Sequence, residues 1–426
     1  FEQRLVEIYE GVLDICKRYQ PEALSIEKLY YQHNQTTVIG VAEARGVILL
    51  AALLLCSGCA NGAISSNYRP VEDLMLIQTI GVDRAPEGVC LSASTGRAGE
   101  NEPPQRMTQT GETVLAALDR LQDRTPNAEL FYAQTSYLLL GEEAAAAGEL
   151  APLLDFIARN PDMRLSAPLF LVRGATAQQA VMDTGDDRTD VTEALTALQK
   201  DTALSGAGHA FSCADIARAL AGSGCAAVGA VACVRTPESE GGKLALAPAG
   251  YAIFRGGDYL GCIAPETARG ASMLLGVVTN GDIAVRDGDG STVMLALDTC
   301  RAAIRPVWDG GTLARVDVTL RLRAGISELR TPRRITERAY QQALNAALAA
   351  RVGGWVRDAL AASQALEADF LGVGQAVAVR SGRRWAAIRD DWAELWPDVP
   401  VRVTVDADVG RTYDLRDSID TTGGGR

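Results

Sequence analysis

The spacing of apolar and polar residues near the start of the chain predicts two helices with a strand between them. Apolar residues recur at helical spacing over residues 2–19, and Pro21 ends that helix. Residues 23–27 are typical of a short buried strand that carries the carboxylate of Glu27 at its end. Residue types that cap helices then precede a second helix, predicted through residues 42–46.

After residue 60 the same patterns predict many short elements, with a polar tether over 61–69 and a polar, partly helical linker over 183–208. Turn residues at 86–88 and 256–258 separate two pairs of strands. Strands are predicted over residues 71–83, 90–94, 136–140, 165–172, 225–233, 251–254, 259–261, 283–286, 293–297, 316–322 and 399–405. Helices are predicted over residues 113–121, 141–144, 153–157, 266–270 and 335–370. Because helices and strands mix without strict alternation, we expect an α+β, multi-domain chain with mixed sheets and packed helices.

One apolar stretch, residues 46–59, has a pattern different from that of a core element. Its sequence is Gly-Val-Ile-Leu-Leu-Ala-Ala-Leu-Leu-Leu-Cys-Ser-Gly-Cys, with cysteines at Cys56 and Cys59. The apolar run is too short to span a bilayer, which needs about 20 residues. A hydrophobic run, small residues and then a cysteine are typical of a bacterial lipoprotein signal, with Cys59 as the lipidated residue. Such a signal belongs at an N-terminus, so we expect the natural start of this segment to be missing or displaced.

Composition and charge narrow the functional classes. The chain is 47% hydrophobic and 22% charged, which is ordinary for globular protein. Its net charge of −12 repels phosphate backbones, so we expect no large nucleic-acid interface in the main part. The two histidines, His33 and His209, lie far apart. We therefore expect no histidine-based metal site, no catalytic triad and no cofactor.

Outside the apolar run, the nine cysteines do not have the spacing of metal ligands. Cys213, Cys225 and Cys233 are able to pair if the domain is exported. The pattern favours a different interpretation, in which these cysteines are small buried hydrophobic residues.

Two features of the last part of the chain invite a functional interpretation. Gly372-x-Gly374 is predicted to end a helix and not to hold a phosphate, because neither a third glycine nor a lysine follows at the required spacing. Trp385, Trp392 and Trp396 have the spacing of one stripe along a single helix. For this stripe a buried face is favoured over a platform for stacking bases, given the acidic charge.

Asp83 follows a strand and lies close in sequence to Glu72 and Asp73. An acid pair is one interpretation of these residues. A turn residue is favoured, because no nucleophile and base accompany them.

Three motifs stand in order near the start of the chain: Pro21–Tyr30, Asn34 and Ala44–Val47. They resemble the middle of the RuvC Holliday-junction resolvase family, over about residues 2–52. The resemblance implies a partial RNase H-like fragment in which Glu27 is one of four metal-binding acids and Tyr30 contacts DNA. The family's first acidic strand would precede Phe1, and no downstream helix supplies its last two acids. We expect Glu27 to be a lone relic and the fragment to be inactive.

Later motifs stand in the order of a second family: Cys59, Glu72–Asp83, Ala252–Phe254, Leu260-Gly261, Glu266–Gly270, Ala368–Gly374, Trp385, Trp392, Trp396-Pro397, Val399–Val405 and Arg411-Thr412. Over about residues 47–415 the chain resembles the Ger(x)C family of spore germinant receptor C subunits. The resemblance implies a three-part α+β lipoprotein without enzymatic activity. It also implies anchoring through Cys59 to the outer face of the spore inner membrane, beside membrane-embedded A and B type receptor subunits.

The two resemblances meet in the apolar run, near residues 46–53, which suits both families. We therefore expect a chimera that acts as a non-enzymatic germination lipoprotein, with a structure-specific endonuclease as the alternative. Signal processing would remove the residues before Cys59, or these residues would block export if they fold first. The expected segments are a RuvC-like fragment over 1–52, the signal over 46–59, an N-terminal domain over 60–205, a C-terminal region over 206–415 that divides near 310–335, and a flexible tail over 416–426.

Overall fold

The structure is a computed structural model that describes residues 2–19, 44–50, 74–96, 103–126, 128–185, 189–235, 244–278, 280–329 and 337–410. The chain divides into two compact units, Phe1–Asp73 and Leu74–Arg426. In the first unit, helix α1 spans Glu2–Tyr19 and helix α2 spans residues 44–50. α1 confirms the first predicted helix, and residues 44–46 of the predicted second helix are helical. The strand predicted over 23–27 and the tether over 61–69 lie outside the described residues.

The second unit combines strands and helices along its whole length. Its strands are β1 (Leu74–Leu76), β2 (Thr79–Ala85), β3 (Gly88–Ser94), β4 (Arg106–Gly111), β5 (Glu129–Phe131), β6 (Tyr137–Gly141), β7 (Leu169–Arg173), β8 (Cys225–Val234), β9 (Ala245–Arg255), β10 (Asp258–Ile263), β11 (Gly281–Arg286), β12 (Thr292–Asp309), β13 (Thr312–Leu329) and β14 (Val401–Gly410). Its helices are α3 (Val114–Asp123), α4 (Glu142–Ala146), α5 (Leu150–Arg159), α6 (Ala177–Asp183), α7 (Val191–Ser205), α8 (Cys213–Ser223), α9 (Pro265–Leu274), α10 (Arg338–Ala365), α11 (Val373–Arg380), α12 (Gly382–Trp385) and α13 (Trp392–Leu395), followed by a 3₁₀ turn at Trp396–Asp398.

Eight strands form the larger sheet, in the order β10-β9-β8-β7-β6-β2-β3-β4. The pairs β2–β6, β6–β7 and β7–β8 are parallel, and the other neighbours are antiparallel. Strands β8–β10 follow residue 206 in the chain, and they join the same sheet as β2–β7. The mixed pairing confirms the α+β class.

The central strands of this sheet are covered on both faces. In β7, Leu169 and Leu171 face one hydrophobic core, while Phe170 and Val172 face another. All five residues of β6 are buried. Burial on two faces explains why these strands appear in the sequence as continuous apolar runs.

The run over residues 71–83, predicted as one strand, divides into two. β1 pairs with β5 in a separate two-stranded sheet, whereas β2 lies in the eight-stranded sheet. Between them, the Ile77 N–H bonds the Phe131 carbonyl and the Gln78 N–H bonds the Ser94 carbonyl. The chain changes sheets at these two residues, and alternation alone does not reveal such a change.

The linker predicted over residues 183–208 is wrong. Most of it is helix α7, which begins with a reciprocal capping box between Asp190 and Glu193. Val191, Leu195 and Leu198 of this helix are buried in the core that lies against β6 and β7. Its charged residues Glu193, Lys200 and Asp201 are exposed, and such polar positions are also typical of a linker.

A second, four-stranded sheet has the order β11-β12-β13-β14. β12 and β13 form a hairpin with 18 residues in each strand, far longer than the strands predicted over 293–297 and 316–322. β13 and β14 are parallel. The predicted strands were short because charged residues fill the outward positions of the hairpin. The long helix α10 packs against α9 and β14, and it ends five residues earlier than predicted.

Candidate functional site

The three residues to which the family resemblances assigned a role, Glu27, Tyr30 and Cys59, lie outside the described residues. Their roles therefore stay predictions. Within α2, Leu49 and Leu50 are 41% and 55% exposed. Among the described residues, no helix is long and apolar enough to cross a membrane.

Asp83 is buried in strand β2 and caps a helix, so the prediction that it is a turn residue is wrong. Its carboxylate accepts hydrogen bonds from the N–H groups of Ala177 (2.8 Å) and Gln178 (2.7 Å), in the first turn of α6. Thr176 and Gln179 add a capping box at the same helix end. Burial raises the pKa of the Asp83 carboxyl, and the two N–H donors oppose that shift. The role of this acid is to join β2 to α6.

Asp369 has a similar role in the last part of the chain, and it was missed as a key residue. Its side chain is buried and accepts hydrogen bonds from the N–H groups of Val373 (2.9 Å) and Gly374 (2.6 Å) and from the indole N–H of Trp392 (3.0 Å). Burial raises the pKa of this carboxyl against the effect of those donors. The signal for its role was an acid placed just before a Gly-x-Gly that starts a helix.

Gly372-x-Gly374 therefore begins a helix and does not end one, contrary to the prediction. Gly372 adopts φ +71°, a left-handed conformation suited to glycine, and α11 starts at the next residue. A Cβ at position 374 would lie 2.6 Å from the Trp392 indole nitrogen and 2.7 Å from the ring of Trp385. Glycine is needed at 374 because two tryptophan rings pack against its backbone.

The three tryptophans form one cluster, although they do not share one helix. Trp385 ends α12, Trp392 starts α13, and Trp396 starts the 3₁₀ turn. The ring centroids of Trp385 and Trp392 are 5.2 Å apart, and those of Trp392 and Trp396 are 5.6 Å apart. Trp392 and Trp396 are buried, and the Trp396 N–H donates to Ser363 Oγ at 3.0 Å. The buried interpretation is thus confirmed, and the single helix is wrong.

A cavity of about 400 Å³ lies beside this cluster. Charged side chains at its edge belong to Glu367, Arg389 and Asp390. Cys225 also lines it, and burial raises the pKa of that thiol, which keeps it protonated and a poor nucleophile. The oxygens of Asp369 are already occupied by N–H donors, so this acid holds the cavity wall and does not face a ligand.

A second cavity, of about 330 Å³, lies beside His209. Its apolar lining includes Phe211 and Phe370, and Asp215 lies at its edge. The Nδ1 atom of His209 is buried without a hydrogen-bond partner. Burial lowers the pKa of the imidazole, and the charge of Asp215 opposes this shift. Behind it, the His209 backbone N–H donates to the Tyr251 hydroxyl at 3.0 Å.

The largest of the cavities described here, about 610 Å³, is a groove between α3 and α5. Leu115, Pro152 and Phe156 give it an apolar lining, and Leu115 is 51% exposed. Glu112 and Asp155 lie at its rim, where Asp155 pairs with Arg159 at 2.8 Å. An apolar groove with charged residues at its rim is typical of a surface that contacts another protein.

Cys213, Cys225 and Cys233 are free; Cys213 and Cys225 are buried, whereas Cys233 is partly buried. The interpretation as small buried hydrophobic residues is thus confirmed for Cys213 and Cys225. Burial raises the pKa of the Cys213 thiol to about 12. In the part of the chain that the structure describes, no group of histidine, cysteine and acidic residues is placed to hold a metal ion.

Three family models match successive segments of the chain. The family model "Spore germination protein N-terminal domain" matches residues 67–232, and "Spore germination B3/ GerAC like, C-terminal" matches residues 249–413. A third model, "Crossover junction endodeoxyribonuclease RuvC", matches residues 1–58.

The similar curated proteins match the first segment. RuvC of Fusobacterium nucleatum is 44% identical over 71 residues, which are 17% of this chain and 34% of that protein. RuvC of Desulforamulus reducens is 39% identical over 70 residues, 16% of this chain and 39% of that protein. RuvC of Thermotoga petrophila is 52% identical over 50 residues, 12% and 30% of the two chains. The chain thus spans about a third of the length of the RuvC proteins it matches.

A solved structure, the crystal structure of the GerBC protein, matches with a TM-score of 0.50 and 14% identity. The match covers 78% of this chain and 96% of that one. At this identity the match shows a shared fold. Taken with the two matching germination models, it places residues 67–413 in the GerAC-like spore germination family, joined in this chain to a RuvC-like segment over residues 1–58.

Proposed function

We propose that the chain from Cys59 onward is the lipoprotein C subunit of a nutrient germinant receptor. In this proposal Cys59 carries the lipid and holds the domain at the outer face of the spore inner membrane. There it works without enzymatic activity beside membrane-embedded A and B type subunits. The observation that carries the proposal is that both halves of the germination family follow, in order, directly after an apolar run that ends in Cys59.

The geometry of the described residues supports a binding role. The buried acids Asp83 and Asp369 are used to start helices, and their oxygens are occupied by N–H donors. The wide groove between α3 and α5 offers an apolar contact surface with acidic groups at its rim. Such surfaces suit assembly with other protein subunits.

Lipidation is tested by mass spectrometry of protein made in a spore-forming bacterium, with a start codon and a basic segment placed before residue 46. We expect a mature N-terminus at Cys59 that carries a diacylglyceryl group. Cys59→Ser should stay unprocessed, whereas the matched variant Cys56→Ala should be processed normally. Unmodified Cys59 in membrane-free protein would contradict the anchor.

The receptor role is tested in spores that lack the C subunit of the matching receptor. Expression of residues 46–426 behind a proper start should restore nutrient-triggered loss of optical density. Cys59→Ser should restore little of it. A chain that is lipidated and stable in the spore membrane but does not restore germination would refute the receptor role. The lipid anchor at Cys59 would stand in that case.

A second candidate function rests on the RuvC match over residues 1–58. Structure-specific cleavage would need Mg²⁺ held by several converging acids, and Glu27 is the one family acid that this segment offers. We expect no cleavage of a four-way DNA junction by the chain. Junction cleavage that depends on Mg²⁺ and disappears in Glu27→Gln would establish the nuclease instead.

The fragment over 1–52, the signal over 46–59 and the tail over 416–426 belong to this proposal. The limit inferred between domains over 60–205 and 206–415 falls inside the eight-stranded sheet, because β8–β10 follow it in the chain. The join itself is tested by sequencing clonal DNA across codons 40–60. An uninterrupted reading frame in a pure isolate would show that the fusion is genuine and not an artefact of assembly.

A further inference from the structure

The outer face of the four-stranded sheet is rich in arginine. Alternate residues of β13, including Val316, Val318 and Leu320, are buried in the core beneath helix α10. The residues between them point to the opposite face, and so do their neighbours on β12 and β14. These outward positions define the arginine face, which holds Arg301, Arg305, Arg315, Arg321, Arg323 and Arg402 together with Asp317, Asp406 and Asp408.

The strand register arranges these residues in rows across the sheet. One row is Arg301, Arg321 and Asp406, and another is Arg305, Asp317 and Arg402. Neighbours within a row lie about 4.8 Å apart between strands, and these two rows, four residues apart along each strand, are separated by about 13 Å. In the middle rows of the face, six arginines and three aspartates give a net charge of +3, on a chain whose total is −12. The exposed acids Asp298, Asp309 and Glu328 lie on the same strands beyond these rows and offset that charge at the two ends.

The positive charge of the face is only partly neutralised. Arg315 pairs with Asp317 at 2.8 Å, and Arg323 lies 3.9 Å from Asp408, both in exposed pairs. Arg301 and Arg321 are exposed and stand directly opposite each other. Neither has an ion pair within 4 Å in the part of the chain that the structure describes. Like charges in directly opposed positions destabilise a sheet, so the fold itself does not favour this arrangement.

The chemistry of the face indicates a flat anionic partner. Its centre holds Ala303, Thr319 and Thr404 between the charged rows and no aromatic side chain. Stable protein interfaces depend on buried aromatic and apolar anchors, which this face lacks. Guanidinium groups bind phosphate oxygens through paired hydrogen bonds. Arginine outnumbers lysine throughout this chain. What distinguishes this face is therefore the position of its arginines and not the choice of arginine over lysine.

We propose that the arginine face binds the phosphate groups of an anionic phospholipid surface and thereby orients the domain on the membrane. This inference rests on the proposed function, because an anchor at Cys59 would bring a bilayer within reach. The 15 residues from Cys59 to Leu74 span at most about 50 Å. Such a tether raises the local concentration of headgroups, so a modest electrostatic contact is enough to fix the orientation.

The test uses the full chain with Cys59→Ser, so that binding cannot come from a lipid anchor. Sedimentation is measured with vesicles of phosphatidylcholine alone and with equal parts of phosphatidylglycerol and phosphatidylcholine. We expect binding to the anionic vesicles only, weakened about tenfold when salt rises from about 50 to about 300 mM. Equal binding to both vesicles, or binding to duplex DNA but not to vesicles, would overturn the proposal.

Variants then locate the contact. Arg301→Gln with Arg321→Gln removes two charges and should weaken binding about 30-fold. The matched control Arg124→Gln with Arg164→Gln makes the same change in net charge at exposed positions outside the four-stranded sheet, at the end of α3 and between α5 and β7, and it should bind like the parent chain. Equal losses in both double variants would show a mere effect of net charge and overturn the proposal.

The result of the vesicle-binding test can be distinguished from the results that test the proposed function. Vesicle binding that is unaffected by Arg301→Gln with Arg321→Gln, in a chain whose Cys59 is lipidated in cells, refutes the arginine face alone. Arginine-dependent vesicle binding together with an unprocessed Cys59 refutes the anchor alone.

Discussion

Two buried aspartates each fix the start of a helix in this molecule. A carboxylate that leaves water needs donors in return, and both acids find them in the N–H groups that open a helix. Asp83 joins β2 to α6, and Asp369 joins the end of α10 to α11 and the tryptophan cluster. Each acid thus fixes the start of a helix relative to a distant part of the chain.

We predict that Asp369→Asn lowers the free energy of unfolding by about 2–4 kcal/mol. An amide offers one acceptor oxygen, and its NH₂ group would oppose the N–H donors of Gly374 and Trp392. Urea unfolding followed by tryptophan fluorescence measures the loss. Asp390→Asn, at an exposed position in the wall of the same cavity, should change stability by less than about 0.5 kcal/mol. Similar losses in the two variants would contradict the role of Asp369.

His209 should make stability depend on pH. Burial holds the pKa of its imidazole below the usual 6.5, so at mildly acidic pH the unfolded chain binds a proton that the folded chain does not. The free energy of unfolding therefore falls as pH decreases from 6.5, and this component stops falling below the folded-state pKa. Above pH 6.5 this contribution of His209 to the pH dependence of stability is absent.

His209→Gln should remove this component. Urea unfolding of both chains near pH 7.5 and near pH 5 measures it, and the variant should lose less stability between the two values than the wild type. Because Asp215 opposes the shift, its charge limits the size of the effect. An identical pH dependence in both chains would show that His209 titrates normally.

At the scale of elements, α9 and α10 pack with their backbones in direct contact. A Cβ on Gly270 would overlap the main-chain oxygen of Trp355, so the two helices touch through backbone. The indole N–H of Trp355 donates to Glu266 at 2.9 Å across the same contact. The position requires glycine because of space, since its φ is not in the left-handed region.

We predict that Gly270→Ala lowers the free energy of unfolding by about 2 kcal/mol or more, because the helices must separate. Gly354→Ala in α10 is the matched control, since nothing lies within 4 Å of its new Cβ. There the gain in helix propensity should stabilise the chain by about 0.5–1 kcal/mol. Thermal unfolding of the two variants should thus give shifts of opposite sign, and shifts of the same sign would refute the close contact.

Sequence patterns predicted most of these elements, and the failures have specific causes. α3, α5 and β8 were predicted because each buries one continuous apolar face or run. α7 was mistaken for a linker because only a few of its residues are apolar, and its burial depends on a partner face supplied by β6 and β7. The tryptophans were placed on one helix because spacing cannot show that the chain bends between them.

At the scale of the whole unit, the eight-stranded sheet does not stop at residue 205. β7 pairs with β8 across the insertion of α6, α7 and α8. Tyr251 and Ile253 on β9 share a core with α9, α10 and the four-stranded sheet. The two sheets are thus linked through one hydrophobic core.

We predict that a fragment ending at residue 205 does not fold cooperatively, because it leaves the β7 edge and its buried face exposed. A chain of residues 60–410 should show one cooperative transition by circular dichroism and urea unfolding. A fragment of residues 60–205 with a sharp transition and dispersed amide resonances would instead support an independent domain with the limits inferred from the sequence.

The sequence by itself determined the class of the chain, the positions of most elements and the two family patterns that meet near residue 46. These are local properties, since periodicity, caps and ordered motifs need only neighbouring residues. Tertiary structure decided the roles of Asp83, Asp369 and Gly374 and the assembly of the arginine face. Each of these depends on groups that come together only when the chain folds, through hydrogen bonds, backbone contacts and strand register that no single stretch of sequence contains.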